Sequence, residues 1–445
     1  MRLKAFPGPV AAALPVAACC ERPGDASWGM GGFLSVMARL GRAMERATGG
    51  SGREGLAATP AACIDAMDRA TPDRPVEPGH DARKCHDPVR NRPKIAIVLF
   101  NLGGPDSPEA IRPFLLNLFR DPAILRVPFF VRPLLAWIVT RGRLKPATEN
   151  YRLLGGKSPL LEMTRAQARA IEAALPELDA KCFPAMRYWH PFSLETARAV
   201  KSWQPDEVVL LPLYPQYSTT TTGSSLTAWR EAAARVGLFK PVSALCCYPT
   251  DPGFAVATAR IVQDAYDKAR ASLDPAVPLR ILFSAHGLPV SIVKDGDPYQ
   301  YQIEQTVAAV LSAWGRNDLD WKICYQSRAT PVKWIEPSTD DEIVRGGASK
   351  SALLVVPIAF VSEHSETLVE LDIEYRELAE KNHVPGYFRV STQQCDAGFI
   401  DSLAALVRTT RAAGTGLHAA CDRAACAAAN RRCPFAIRRP ENQAP

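Results

Sequence analysis

Leu353-Leu-Val-Val-Pro-Ile-Ala-Phe-Val-Ser-Glu-His-Ser-Glu-Thr-Leu-Val-Glu370 decides how the rest of the chain is read. Its apolar start, Leu353–Ile358, has the unbroken Leu/Val/Ile character of a parallel strand buried on both faces. From Thr367 to Lys381 the spacing turns helical. Glu363, His364 and Glu366 therefore fall where a strand hands over to a helix. In open α/β sheets ligands bind at that edge, outside the carboxyl ends of the strands. One imidazole and two carboxylates there suit proton movement or a divalent metal. A structural reading competes on even terms: Ser362 or Ser365 caps the helix, and the two acids favour its positive N-terminus.

The same succession recurs along the chain. Lys94-Ile-Ala-Ile-Val-Leu-Phe-Asn-Leu-Gly-Gly-Pro105 is a buried strand ending in a glycine turn, with Ser107 placed to cap the next helix. Leu279-Arg-Ile-Leu-Phe-Ser-Ala-His-Gly-Leu-Pro289 mirrors it: apolar run, polar residue, glycine, proline. Strands at Pro184–Tyr188 and Val208–Leu213 are mirrored by Trp321–Gln326 and Leu353–Ile358, and helices are expected at Thr164–Leu178 and Phe254–Leu273. The expectation is an α/β protein of two similar halves, 93–275 and 276–413, each with a mostly parallel sheet and right-handed crossovers, presenting strand ends to a shared cleft.

Hydrophobic content of 47% with 22% charged is that of a globular protein, and the net charge of +7 is compatible with anionic ligands or a membrane surface. No basic run interleaved with aromatics argues for nucleic acid, and no apolar stretch is long enough to span a bilayer. Twelve cysteines without dense, regular spacing fit a reducing compartment better than a disulfide scaffold. Residues 1–92 are rich in Ala, Gly, Pro and Arg and show no sustained period. They are read as a disordered extension, an acid-poor targeting segment, or sequence upstream of a true start at Met30, Met37 or Met44. Residues 414–445 form a Cys/Arg-rich tail.

Three further segments carry candidate chemistry. Phe114–Val139 is apolar but broken by Pro122, Pro128 and Pro133. It is either a buried pair of short helices or an exposed lip over a flat ligand or against lipid, with Arg132, Arg141, Arg143 and Lys145 at its edge. Tyr214-Pro-Gln-Tyr-Ser-Thr-Thr-Thr-Thr-Gly-Ser-Ser225 offers hydroxyl donors to anionic oxygens, or is a solvated connection. His286 directly follows a strand; alone it reads as a histidine bonded to a backbone carbonyl. Its position in the same half as Glu363, His364 and Glu366, on the same expected sheet edge, makes a metal or proton-transfer set.

At these residues the chain resembles the ferrochelatases, enzymes that insert ferrous iron into a porphyrin. The resemblance is carried by Asn101-Leu-Gly-Gly-Pro105, Tyr214-Pro-Gln-Tyr-Ser218 with Thr221-Thr-Gly-Ser-Ser-Leu226, Ser284-Ala-His-Gly-Leu-Pro289 and Pro357–Asp372, and it runs from about Lys94 to Arg408. It implies two Rossmann-like lobes around a porphyrin cleft, the second bearing the catalytic residues. His286 matches the active-site histidine and Glu366 the essential carboxylate, with His364 and Glu363 beside them on the metal or proton path. Phe360, Trp334 and Leu102 match positions lining the cleft, Arg187 and Tyr188 a pair on the opposite wall, and Tyr151 and Ser158 the porphyrin-facing glycine-turn segment. The 114–139 stretch matches the apolar lip that touches membrane.

The chemistry agrees with this. Metalation removes two pyrrole protons and exchanges water on iron for ring nitrogens. A cleft that holds the ring bent spends remote binding energy on distortion. Neutral His286 suits proton abstraction near pH 7, and Glu366 suits relaying the charge.

Expected partners are protoporphyrin IX and ferrous iron, the iron as substrate, with peripheral membrane contact through the lip, no nucleic acid, and a monomer or homodimer. Expected locations are bacterial cytoplasm with peripheral membrane association, or the mitochondrial inner membrane if residues 1–92 are a transit segment. Coproporphyrin as substrate, a sirohydrochlorin cobaltochelatase and a non-catalytic tetrapyrrole carrier stand as alternatives. Some ferrochelatases hold a [2Fe–2S] cluster on a cysteine-rich tail and one distant cysteine. Here Cys421, Cys426 and Cys433 are the corresponding candidates, but their spacing is wide and Thr219 stands at one relatives' position for the fourth ligand. The reading preferred on sequence is a tail with incidental cysteines.

Overall fold

The computed structural model describes residues 92–327, 332–421 and 430–435. Residues 1–91, read above as an extension, a targeting segment or upstream sequence, and the cluster candidate Cys426 lie outside them. Strands β1 (Lys94–Asn101), β2 (Asp179–Met186), β3 (Glu207–Pro212), β4 (Val242–Leu245) and β9 (Gly416–His418) form one sheet in the order β2-β1-β3-β4-β9. Strands β5 (Leu279–His286), β6 (Asp320–Gln326), β7 (Ala352–Pro357) and β8 (Tyr387–Arg389) form a second in the order β6-β5-β7-β8. All pairs are parallel. The first four strands of each half thus follow one pattern, and the repeat expected from the sequence exists as topology. Helices cover both faces, so Ile95 to Phe100 are wholly removed from water. That explains why β1 reads as one apolar run rather than an alternation.

Two aspects of the expected domain organisation differ. The second unit was expected to run to residue 413, yet helix Ala397–Ala412 packs into the first sheet's core. Phe399, Leu403 and Val407 lie in one apolar cluster with Ile97, Leu99 and Val209. Helix Pro252–Ser272 spans both cores: Phe254 and Ala257 join the first, and Val262 and Ala269 the second. Its N-cap Asp251 accepts from Phe254 N at 2.9 Å and from Ser402 Oγ at 2.7 Å, fastening the two helices. An apolar helix goes where complementary surface lies, whatever its place in the repeat.

The helix expected over Thr367–Lys381 is in two parts. Glu366–Glu374 is a π-helix, followed by the α-helix Tyr375–Lys381. Side chains from neighbouring strands bond the π-helix carbonyls: Gln326 Nε2 donates to Glu366 O at 3.1 Å and Tyr387 Oη to Leu371 O at 2.7 Å. Such outside partners stabilise a backbone that departs from i→i+4 bonding.

Candidate active site

The register places the site. β5 pairs with β6 so that His286 stands opposite Gln326, and with β7 so that Ser284 stands opposite Pro357. The carboxyl ends of all three strands share one edge. His286 is the last residue of β5, and the turn after β7 brings His364 and Glu366 back to it. Glu366 Oε2 lies 3.1 Å from His286 Nδ1 and 3.6 Å from His364 Nε2. The His286 approach is short but off hydrogen-bond alignment. With Nδ1 facing Glu366, the second ring nitrogen, Nε2, is the one left for a proton from elsewhere.

The electrostatics follow from this contact. Burial disfavours charge on both groups, but mutual attraction outweighs it. Against its burial, Glu366 and, more distantly, Glu370 hold the His286 pKa above its ordinary value. Against its own burial, His286 and His364 hold the Glu366 carboxyl well below the usual carboxylate range. The result is an ionised carboxylate beside an imidazole made more basic, an arrangement that can accept a proton and stabilise the imidazolium formed.

Other expected residues gather here. The Phe360 ring lies 4.6 Å from that of His364. Trp334 stands over Gly287, where a Cβ would meet its ring at 3.3 Å and two backbone carbonyls at 3.0 and 3.1 Å. Only glycine fits between His286 and Trp334 without displacement. Tyr151 reaches across from the first half to bond Ser365, and burial pushes its phenol up to about 12. Leu102 is half-buried just past β1. The loop carrying His364 is pinned from the first half by buried Gln167, which donates to Val361 O at 3.1 Å and accepts from Ser362 Oγ at 3.0 Å.

Several expectations are corrected. Glu363 is turned from His286 and Glu366 to Arg389: Oε1 accepts from Arg389 Nη1 at 2.7 Å and from Thr392 N at 2.9 Å. A guanidinium takes the place a cation would have. Among the described residues, no three His, Cys, Asp or Glu side chains are already set as metal ligands. Tyr188 does not line a wall; it is buried, donating to Asp121 Oδ2 at 2.9 Å. Arg187 remains partly open at the end of β2, held to Asp121 at 2.8 Å and to Ser224 Oγ at 2.6 Å. Ser158 is buried at the start of helix Leu160–Ala173, its Oγ accepting from Leu160 N at 3.3 Å. In the hydroxyl-rich loop Ser218 and Thr219 spend their donors on Asp297 of the second half, which accepts from Ser218 Oγ, Thr219 N and Thr219 Oγ1 at 3.0, 2.8 and 2.6 Å, and Ser224 donates to Asp121.

The lip is exposed rather than a buried helix pair. Helix Ile111–Arg120 buries Phe114, Leu115 and Phe119, but Phe129 and Phe130 are 79% and 71% exposed and Leu134 62%. Among the cysteines, Cys246 and Cys247 at the end of β4 form an apolar cluster with Tyr217, against which Cys421 packs. Cys433 is fully buried close by and acts electrostatically on the same tyrosine.

Sequence reasoning missed Asp121, Gln326, Arg389 and Glu370. Only Glu370 carried a signal, its spacing of four from Glu366 on an expected helix. Burial and the negative Glu366 raise its pKa above that of an ordinary glutamate.

Comparison with known proteins agrees with this geometry. The sequence model of the family described as ferrochelatase matches residues 94–411. The ferrochelatase of Caulobacter vibrioides is 53% identical over 328 residues, 72% of this chain and 92% of its own length. That of Phenylobacterium zucineum is 53% identical over 315 residues, 70% and 90% of the two chains. That of Wolbachia pipientis wMel is 48% identical over 316 residues, 70% and 98%. A histidine–glutamate pair on the shared strand edge, in a chain related over nearly the whole length of these enzymes, has one reading: the chain belongs to the ferrochelatase family, enzymes that insert metal into porphyrin.

Proposed function

We propose that this enzyme inserts ferrous iron into protoporphyrin IX, with His286 accepting pyrrole protons and Glu366 relaying them. The carrying observation is the 3.1 Å approach of Glu366 Oε2 to His286 Nδ1 at the end of β5. A base must be more basic than the group it relieves, and it must pass the proton on. Glu366 serves both needs by raising the imidazole pKa and by standing next to Nδ1. The ring would be held bent between the two halves, with Tyr151, Phe360, Trp334 and Leu102 around it and Arg187 at the first sheet's edge. Bending turns a nitrogen lone pair out of plane, at the expense of binding energy from the rest of the macrocycle.

The substrate preference rests on the lip. Its exposed Phe129, Phe130 and Leu134 favour an apolar porphyrin and contact with a membrane surface, by which such a porphyrin enters without crossing water. No helix among the described residues is long and apolar enough to cross a membrane, so the contact would be peripheral, on the cytoplasmic side of a bacterial cell. Side-by-side insertion assays with protoporphyrin and coproporphyrin test the reading. Turnover of protoporphyrin that falls by on the order of 10²–10⁴ in Glu366→Gln is expected, as for loss of a proton-transfer group. Turnover of coproporphyrin alone overturns the substrate.

We further propose that the tail cysteines hold a thiolate-bound cluster. Cys246, Cys247, Cys421 and Cys433 lie around Tyr217, so the tail brings thiols, the donors a [2Fe–2S] group requires, to the end of β4, although no three of them are set as ligands among the described residues. Cys421, Cys426 and Cys433 would hold it, with the fourth ligand drawn from Cys246 or Cys247 just past β4 rather than from the hydroxyl-rich loop. Bound there, it would tie the tail to the first sheet. Acid-labile sulfide and visible absorption beyond haem bands, both lost in Cys433→Ser, are the expected findings; purified protein lacking both removes the cluster.

A further inference from the structure

We propose that Tyr375 and Asp340 form the exit by which protons released in metal insertion pass from Glu370 to the surface. This rests on the reading of His286 and Glu366 as the groups that receive the pyrrole protons.

The observation is one phenol between two carboxyl groups. Tyr375 Oη lies 3.2 Å from Glu370 Oε1 and 3.2 Å from Asp340 Oδ2. A phenol has one proton to donate and cannot satisfy two carboxylates. One contact therefore requires a carboxyl O–H that donates to the phenol oxygen. The surroundings assign it. Glu370 Oε2 already accepts from Ser327 Oγ at 2.6 Å and from Gln326 Nε2 at 3.2 Å, so a proton on Glu370 belongs on Oε1, facing Tyr375. Burial and Glu366 favour the protonated form of Glu370. Asp340 is exposed in the first turn of helix Thr339–Ala348, so its carboxyl opens to solvent. The hydrogen bonds then run one way, from Glu370 Oε1–H to Tyr375 Oη and from Tyr375 Oη–H to Asp340 Oδ2.

The transfer balances. The Glu370 O–H breaks as its proton joins the Tyr375 oxygen, while the original Tyr375 proton passes to Asp340 and on to water. Tyr375 ends neutral and resets by rotating its hydroxyl. Glu370, left as a carboxylate, is recharged from the Glu366 and His286 side; it lies four residues on from Glu366 in the same π-helix, and Gln326 Nε2 bonds both Glu366 O and Glu370 Oε2 at 3.1 and 3.2 Å. Two passages per metal inserted match the two pyrrole N–H bonds broken. The ionisable groups facing the path are Glu366 and His286 inside and Asp340 outside; the end of β6 contributes uncharged Gln326 and Ser327. Tyr375 is otherwise a core residue, packed with Leu282 and Leu371. A phenylalanine would fill that space equally well, so packing does not account for the hydroxyl.

Tyr375→Phe keeps the ring and breaks the path. In the full-length enzyme with protoporphyrin and ferrous iron, kcat should fall about a hundredfold, the low end for a positioned proton-transfer group, with KM unchanged. The solvent deuterium effect should grow, the kcat–pH profile should change, and small acid buffers such as formate should restore part of the rate. Asp340→Asn, at an exposed position where folding is not at issue, should lower kcat at low buffer and recover with buffer. Wild-type kcat and pH profile in both variants, or losses that no buffer restores, would overturn the proposal. If Glu366→Gln turns over normally, the underlying assignment fails; if Glu366→Gln is inactive while Tyr375→Phe and Asp340→Asn are normal, only the exit fails.

Discussion

Replacing Asp121 with alanine should loosen the mouth of the cleft and destabilise the whole protein. This carboxylate is buried where helix Ile111–Arg120 ends and the lip begins. Oδ2 accepts from Arg187 Nη2 at 2.8 Å, Tyr188 Oη at 2.9 Å and Ser224 Oγ at 2.6 Å; Oδ1 accepts from Ala123 N at 2.8 Å. Alanine leaves a guanidinium, a phenol and a hydroxyl without their shared acceptor. Removing one partner of a buried ion pair costs about 3–5 kcal/mol. The Arg187 side chain is 24% exposed, so water recovers part of that loss, and about 3 kcal/mol is the expected cost. In a chain of this size that corresponds to a fall in Tm of about 3–4 °C. Because Arg187 closes the first sheet's edge beside Leu102, KM for porphyrin should rise more than kcat falls. Asp121→Asn keeps an acceptor for Ala123 N but turns an NH2 toward Arg187 and Tyr188, and should fall between. Thermal unfolding by circular dichroism, with insertion kinetics on the same samples, measures both effects. A Tm within about 2 °C of wild type and an unchanged KM would show that the four contacts organise nothing.

Four further outcomes are expected. The His286 ring should titrate above its ordinary 6.5, and the neutral, proton-accepting form should appear only as pH rises through that raised pKa; histidine NMR should show the midpoint moving down in Glu366→Gln, and an unmoved midpoint refutes the pairing. The same shifts set stability: the raised His286 pKa contributes stability that is full below the ordinary 6.5 and is lost as pH rises through the raised value, and the depressed Glu366 pKa contributes stability that is full above the ordinary 4.5 and is lost as pH falls through the lowered value, so the pair should stabilise most against denaturant between about 4.5 and 6.5. Gly347→Ala should cost roughly 1–3 kcal/mol in chemical denaturation, because its Cβ would stand 2.1 Å from the backbone oxygen of Asn382, which no side-chain rotation relieves; tolerance without loss would contradict the packing. Phe129→Ser with Phe130→Ser should cut co-sedimentation with anionic vesicles at least tenfold, since burying each ring is worth about 1.5–3 kcal/mol, while activity on detergent-dispersed porphyrin persists; equal sedimentation would place membrane contact elsewhere.

The short β4, β8 and β9 carried no signal in the sequence; what the sequence by itself determined is the other six of the nine described strands, their repetition and the edge on which the chemistry stands. Those follow from local signals: a strand covered on both faces must be apolar throughout, and a backbone that turns sharply at its end needs glycine. Gly103 is an instance, with φ at +84° just past β1. His286, His364 and Glu366 were legible because each stands just past such a run. What only the tertiary structure decided is how polar groups are divided between site and scaffold. Glu363 and Glu366 look alike in sequence, yet one is held by Arg389, 26 residues away, and the other faces His286. The hydroxyls of 218–219 looked ready for a ligand until Asp297 came from the other half to accept them. Tyr188 looked like a wall residue until Asp121 drew it inward. Helix Ala397–Ala412, last in the second repeat, packs in the first core. In each case the deciding partner is distant in the chain, because burial obliges every charge and hydroxyl to find a partner wherever folding brings one, and sequence spacing carries no record of that choice.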